Sequence, residues 1–165
     1  MRSNQSIKII LALTFFFCFR PASALYLDLY GKLITSPPEC ILNNGQQEVI
    51  HFNDILLTRI DGISYQQLLT FKLTCTKLEK NTLQLTIVGE STSFNSDGSL
   101  KTSNPKLGIA FYVNDVRKKI NQPISINYTA LPTIKVAPIK NLTASYSNTD
   151  GGAFSALATL KVDYQ

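Results

Sequence analysis

The chain has 165 residues, with 16 Lys and Arg against 11 Asp and Glu, one His, three Cys and no Trp. Arg2, Lys8 and Arg20 surround the apolar run "IILALTFFFCF" at 9–19, and Ala22-Ser23-Ala24 fits the small-x-small pattern of a signal-peptidase site, so residues 1–24 read as a signal peptide. Cleavage after residue 24 of 165 leaves 141 residues and takes the basic count from 16 to 13 against 11 acidic, so the formal charge drops from +5 to +2 and nucleic acid is excluded as an expected partner.

The apolar run is also too short for a membrane span, which needs roughly 20 residues. The exported chain opens with "LYLDLYGKLI" at 25–34, which places Leu25, Leu27, Leu29, Gly31 and Leu33 on one face and Tyr26, Asp28, Tyr30 and Lys32 on the other. Ser36-Pro37-Pro38 stiffens the exit from this strand and favours an extended connection. "PPECILNNGQQ" at 37–47 reads as a turn, followed by strands at 48–57 ("EVIHFNDILL"), 68–76 ("LLTFKLTCT") and 82–90 ("TLQLTIVGE"). A Ser/Asn/Gly-rich surface loop fills 91–106. Strand patterns resume at 107–115 ("LGIAFYVND"), 123–131 ("PISINYTAL") and 132–140 ("PTIKVAPIK"), and after the turn "SNTDGG" a last one covers 153–165 ("AFSALATLKVDYQ"). Short alternating strands joined by such turns in one domain of this size predict an all-β, immunoglobulin-like sandwich, although the absent Trp and the early cysteine pair depart from antibody domains.

Cys18 leaves with the signal peptide, so Cys40 and Cys75 are the one pair left in an oxidising compartment and are expected to form a disulfide. Closing a loop of about 35 residues stabilises by roughly 3 to 4 kcal/mol in the chain-entropy model. No cysteine or histidine spacing suits a metal or a redox pair. His51 sits inside a strand pattern as a half-buried residue, and Asp54 and Asp61 make no metal-loop spacing, so no catalytic residue, cofactor, metal or small-molecule substrate is expected.

Two apolar strands therefore stand at the two ends of the exported domain, where exposed flat edges normally template aggregation. Their placement suggests that strand addition between chains is the function.

With these features in place, the chain resembles the pilin subunits of chaperone-usher fimbriae, above all the minor tip-adaptor type of P-like pili. The resemblance rests on the alternating N-terminal extension with Gly31, "PPECILNNGQ" around Cys40, "FNDI" at 52–55, "LTC" with Cys75, "LTIVGES" at 85–91, "KLGIAFY" at 106–112, and Gly152 fourteenth from the end with Tyr164 penultimate. It implies a sandwich lacking its last strand, completed by a donor strand from a periplasmic chaperone and then from a neighbouring subunit. Residues 25–36 would be the donor-strand extension and 37–165 the pilin domain. Leu25, Leu27, Leu29, Gly31 and Leu33 would enter a neighbour's groove. Gly152, Ala156, Ala158, Leu160, Val162 and Tyr164 would edge this subunit's own groove, with the carboxylate of Gln165 anchoring the chaperone. The implied partners are the chaperone, an outer-membrane usher, neighbouring pilins and a tip adhesin, and the implied destination is the cell-surface fimbria of a Gram-negative bacterium. In that setting "NYT" at Asn127 and "NLT" at Asn141 would stay unmodified. Two departures from the family pattern stand out: Asn53 replaces the Gly of an "FGD" motif, in a turn that Asn tolerates, and Glu39 is inserted before Cys40. The expected role is the adaptor joining a tip adhesin to the fibre. Its alternatives are a major or terminator pilin, which a less Ala/Gly/Thr-rich composition disfavours, and a carbohydrate-binding tip adhesin, for whose separate lectin domain 141 residues leave no room.

Overall fold

The computed structural model describes residues 25–33 and 38–164. The expected signal peptide, the Ser36-Pro37 junction and Gln165 lie outside the described residues. Two units divide the chain, Met1–Thr35 and Ser36–Gln165. In the first, residues 25–33 form no strand, contrary to the expectation from their alternation, and every side chain is exposed. Alternation shapes a strand's two faces but supplies no hydrogen-bonding neighbour, and a lone strand is not stable in water.

The second unit contains ten strands among the described residues: β1 (Glu39–Leu42), β2 (Gln67–Leu69), β3 (Leu73–Thr76), β4 (Thr82–Val88), β5 (Leu100–Lys101), β6 (Leu107–Val113), β7 (Val116–Lys118), β8 (Pro123–Asn127), β9 (Ile134–Lys140) and β10 (Thr159–Tyr164). All pairings are antiparallel. One sheet has the order β10-β4-β8, a second β2-β9-β6-β5 with β7 paired to β6, and β1 pairs with β3. Leu83, Leu85 and Ile87 of β4 and Ile126 of β8 share one core with Ile109, Phe111 and Val113 of β6 and Ile134 and Val136 of β9. Period-two alternation puts these residues on the inner faces of the two sheets, which is the packing of a β-sandwich.

β6 is buried on both faces. Its outer face is covered by the loop around Ile60, where the Tyr112 hydroxyl donates to the Gly62 carbonyl at 2.5 Å. Asn114 and Asp115, both at positive φ (49° and 64°), make the two-residue turn into β7, the mirror-type geometry that suits a twisted hairpin. In β9, β2 stops opposite Val136, so Pro138 lies where that side of the strand has no ladder to lose.

Several strand boundaries differ from the pattern reading. The stretch 68–76 is two strands in different pairings, β2 against β9 and β3 against β1, separated by residues 70–72. Residues 37–47 are not simply a turn: β1 occupies four of them because Cys40 is bonded to Cys75 directly across the ladder, and the turn proper is Asn43–Gly45. Residues 48–57 form no strand, and the last strand begins at Thr159 rather than at 153.

The disulfide joins β1 to β3 and so ties the start of the domain to the core, where Cys40, Leu42 and Cys75 pack against the buried cluster. Reduction, or Cys75→Ser with Cys40→Ser, is expected to lower unfolding free energy by roughly 3 to 4 kcal/mol, read as a fall in the urea midpoint against the oxidised chain. An unchanged midpoint would show that the β1–β3 ladder holds without the bond.

Candidate functional site

Backbone amides and carbonyls withdrawn from water need partners, so partly buried segments without them are places where another strand could pair. Among the described residues β10 has a strand neighbour on one side only: its register against β4 runs from Thr159↔Val88 to Tyr164↔Leu83. Alternate residues of an antiparallel strand point their hydrogen-bonding groups away from the partner. Among the described residues nothing pairs with that outer edge, nor with the backbone of residues 49–55. Ile50 and Phe52 of the first stretch, Leu160 and Val162 of β10, and Phe154 and Ala158 ahead of it are all packed against the core yet only partly buried.

Residues 49–55 meet the segment that leads into β10. Phe52 and Phe154 stack with ring centroids 6.2 Å apart. Around them is an open depression of about 650 Å³, walled by residues 50–55 and by residues 150–154, with Ile60 and Leu107 at its base. Asn53 adopts φ 51°, the backbone that a Gly in its place would take freely, and Gly152 adopts φ 141° in open space.

A polar clamp precedes Gly151. The Lys106 ammonium lies 2.6 Å from Asp150 Oδ1, donates to the Ser145 carbonyl at 2.8 Å and sits 5.5 Å from the centre of the Tyr146 ring. Asp150 Oδ2 accepts from the Ser147 amide at 2.6 Å and from the Ser147 hydroxyl at 3.1 Å, closing the capping box of the 3-10 turn Asn148–Asp150. Lys106 and then the Ser147 amide hold the Asp150 carboxyl below the usual aspartate range, whereas desolvation pushes the Tyr146 phenol up.

The residues singled out in the sequence divide into three groups. Cys40 and Cys75 are joined. Leu160, Val162 and Tyr164 stand opposite Ile87, Leu85 and Leu83 and so face the core side of their sheet, Ala158 is half-buried ahead of them, and Gly152 and Ala156 are exposed. Leu25, Leu27, Leu29, Gly31 and Leu33 are exposed in the separate N-terminal unit, with Leu25 and Leu33 at 92% and 89% exposure. His51 is exposed and outside any strand, not half-buried in one, because the segment that carries it has no ladder. No group of three metal-binding side chains occurs among the described residues. The pattern reading overlooked residues 49–55 as an unpaired wall; the alternation Ile50, Phe52 was visible, but nothing in it distinguished a paired strand from an unpaired one.

The comparisons with known proteins agree with this architecture. A family model described as fimbrial protein matches residues 27–165. The fimbrial-like protein YfcQ of Escherichia coli (strain K12) is 34% identical over 145 residues, covering 84% of this chain and 86% of its own; YfcR of the same strain is 29% identical over 138 residues, covering 81% and 77%. Among solved structures, the P pilus adaptor subunit PapF aligns with a TM-score of 0.55 at 23% identity over 76% of this chain and 95% of its own. The P pilus rod subunit PapA aligns with a TM-score of 0.59 at 17% identity over 85% and 99%.

Because the Asp150 carboxyl is depressed in the folded state, its contribution to stability is present above the ordinary aspartate value of 3.8 and is lost as pH falls through the lower native value. Asp150→Asn is therefore expected to lower the urea midpoint at pH 7, with the gap from wild type narrowing below about pH 4. A gap that stays constant down to pH 3 would remove the carboxylate from this role.

Proposed function

The chain belongs to the fimbrial protein family of chaperone-usher pilins, a structural rather than enzymatic family, and from that premise we propose that it is the adaptor subunit joining a tip adhesin to the fibre. On this reading its own extension, residues 25–36, completes the adhesin's fold, and its groove receives the extension of the following subunit. The observation that carries the strand-exchange part is the pair of unpaired backbone edges, residues 49–55 and the outer side of β10, flanking half-buried apolar side chains. A strand laid between them would gain ladder hydrogen bonds on both sides and bury apolar surface at about 25 cal/mol per Å².

The alternating face of Leu25, Leu27, Leu29, Gly31 and Leu33 has the period such a groove requires, and its exposed leucines are the kind of side chain that needs burial elsewhere. A periplasmic chaperone would occupy the groove first, with an outer-membrane usher taking the subunit onward. Support for the adaptor position is the fold likeness to PapF together with the Leu/Asn/Lys-rich composition. The likeness to PapA favours a second reading, a rod subunit. Copy number decides between them: an adaptor is present once per fibre, a rod subunit many times.

Three changes test the reading in a reconstituted system with chaperone and partner subunit. Deleting Tyr164 and Gln165 is expected to impair chaperone capture, seen as loss of the co-purified complex. Leu29→Asp or Gly31→Phe should spare capture and block incorporation, because a buried unpaired charge costs several kcal/mol and a bulky side chain clashes with the strand it must lie against. Recovery of a stable soluble monomer with both termini deleted and no chaperone would overturn the missing-strand reading.

A further inference from the structure

Residues of 43–48 and 70–72 line a second open depression of about 400 Å³, at the small end of the roughly 300–1,000 Å³ usual for small-molecule sites. It shares no lining residue with the depression beside Phe154.

The backbone fixes its shape. Asn43, Asn44 and Gly45 follow one another at φ 46°, 52° and 77°, a left-handed run that is costly for the two asparagines and persists only where the surroundings impose it. Those surroundings are the facing segment: the Asn43 amide donates to the Lys72 carbonyl at 2.8 Å, and the Lys72 amide donates back to Asn43 Oδ1 at 2.7 Å. The Gln46 amide closes the turn on the Asn43 carbonyl at 3.0 Å, and the Thr70 hydroxyl joins the two segments again by donating to Glu48 Oε1 at 3.2 Å.

The groups left over around this frame are of one chemical kind. The side-chain amides of Asn44, Gln46 and Gln47 make no hydrogen bond among the described residues, and neither does the Lys72 ammonium. An amide offers a donor and an acceptor side by side, which is what a row of sugar hydroxyls requires. Phe71, half-buried against the core, is the one aromatic residue of the lining and suits the C–H face of a pyranose ring. Glu48 and Lys72 are the only charged residues there and cancel, so neither an anion nor a cation is favoured. Glu48 is also the only carboxylate of the lining, whereas glycoside hydrolysis uses a pair.

We propose that this depression binds an uncharged saccharide and holds it without cleaving it. Gln46 and Gln47 bond its hydroxyls, Lys72 donates to a further sugar oxygen, and Phe71 packs on the ring. The site belongs to the second unit itself, so it calls for no separate lectin domain, and it stands independently of the strand-addition reading.

The test uses the subunit co-purified with its chaperone and three probes: lactose, diacetylchitobiose and the anionic sialyllactose. At least one uncharged probe is expected to shift the amide resonances of residues 43–48 and 70–72 saturably, with a Kd of about 1 mM that stays constant between roughly 50 and 500 mM salt. Gln46→Ala combined with Gln47→Ala removes two exposed side chains that are bonded to nothing in the fold, and should weaken binding about tenfold. Phe71→Leu keeps apolar bulk against the core and should weaken binding about fivefold through loss of the ring. Glu90→Gln, outside the depression, should leave the Kd unchanged.

Failure of both uncharged probes to shift these amides at about 10 mM overturns the proposal. Tighter binding of sialyllactose with a steep salt dependence overturns it too, because that is the behaviour of an anion held by Lys72. Saturable binding that survives both the double glutamine substitution and Phe71→Leu removes the saccharide from this depression.

Discussion

The constraint on which the rest of this structure depends is the satisfaction of backbone hydrogen bonds. Among the described residues, 49–55 and the outer edge of β10 have no backbone partners, yet their side chains Ile50, Phe52, Leu160 and Val162 already rest against the core. Leaving a polar backbone group buried and unpaired costs about 1 to 3 kcal/mol, so these stretches are held half-open to water and their apolar side chains half-covered. Everything else in the second unit acts as a frame. The β4–β10 ladder holds one side, the Cys40–Cys75 bond ties β1 to β3 at the start of the domain, and residues 103–106 bond to Asp150 and Ser155 ahead of β10. Free edges of this kind are normally suppressed. Here they are kept, beside a frame tied by the β4–β10 ladder and the disulfide.

Much of the frame was legible in the sequence, for reasons that also explain what was not. β4, β6 and β9 each contain seven residues, long enough for period two to declare itself, and the pattern of 82–90, 107–115 and 132–140 located them to within a few positions. β5 and β7 have two and three residues and carry no readable period; β7 exists because the Asn114-Asp115 turn folds it back on β6. The single strand read at 68–76 conceals a passage between two pairings, which alternation is blind to because it records faces and not neighbours. The same blindness applied at 48–57. There a strand was expected with His51 half-buried in it, whereas Ile50 and Phe52 are the partly buried residues, His51 is exposed and no ladder forms.

The site followed the same rule. The role of Asn53 was legible because a left-handed backbone is a local property, and its φ of 51° agrees with the tolerance of Asn for that region. Lys106 and Asp150 are 44 residues apart, and no local pattern joins them. Phe52 and Phe154 are farther apart still. Contacts of that kind exist only after the sheets have packed, so they belong to the fold and not to any segment of it.

On the strand-addition reading, selectivity would reside in side chains and not in the ladder. Any strand that enters makes nearly the same backbone bonds, because amides and carbonyls repeat identically along every chain; the ladder can hold a strand without telling one from another. Discrimination must come from side chains meeting the floor between the walls. The partly buried side chains there differ in size, from Val162 and Leu160 to the small Ala158, and the open depression lies beside Phe154. A donor matched to it needs bulk where the floor is deep and almost none where the floor stands high. A chain with one glycine among alternating leucines, as at Leu25, Leu27, Leu29, Gly31 and Leu33, has this uneven profile, which makes the location of its glycine as informative as that of its leucines.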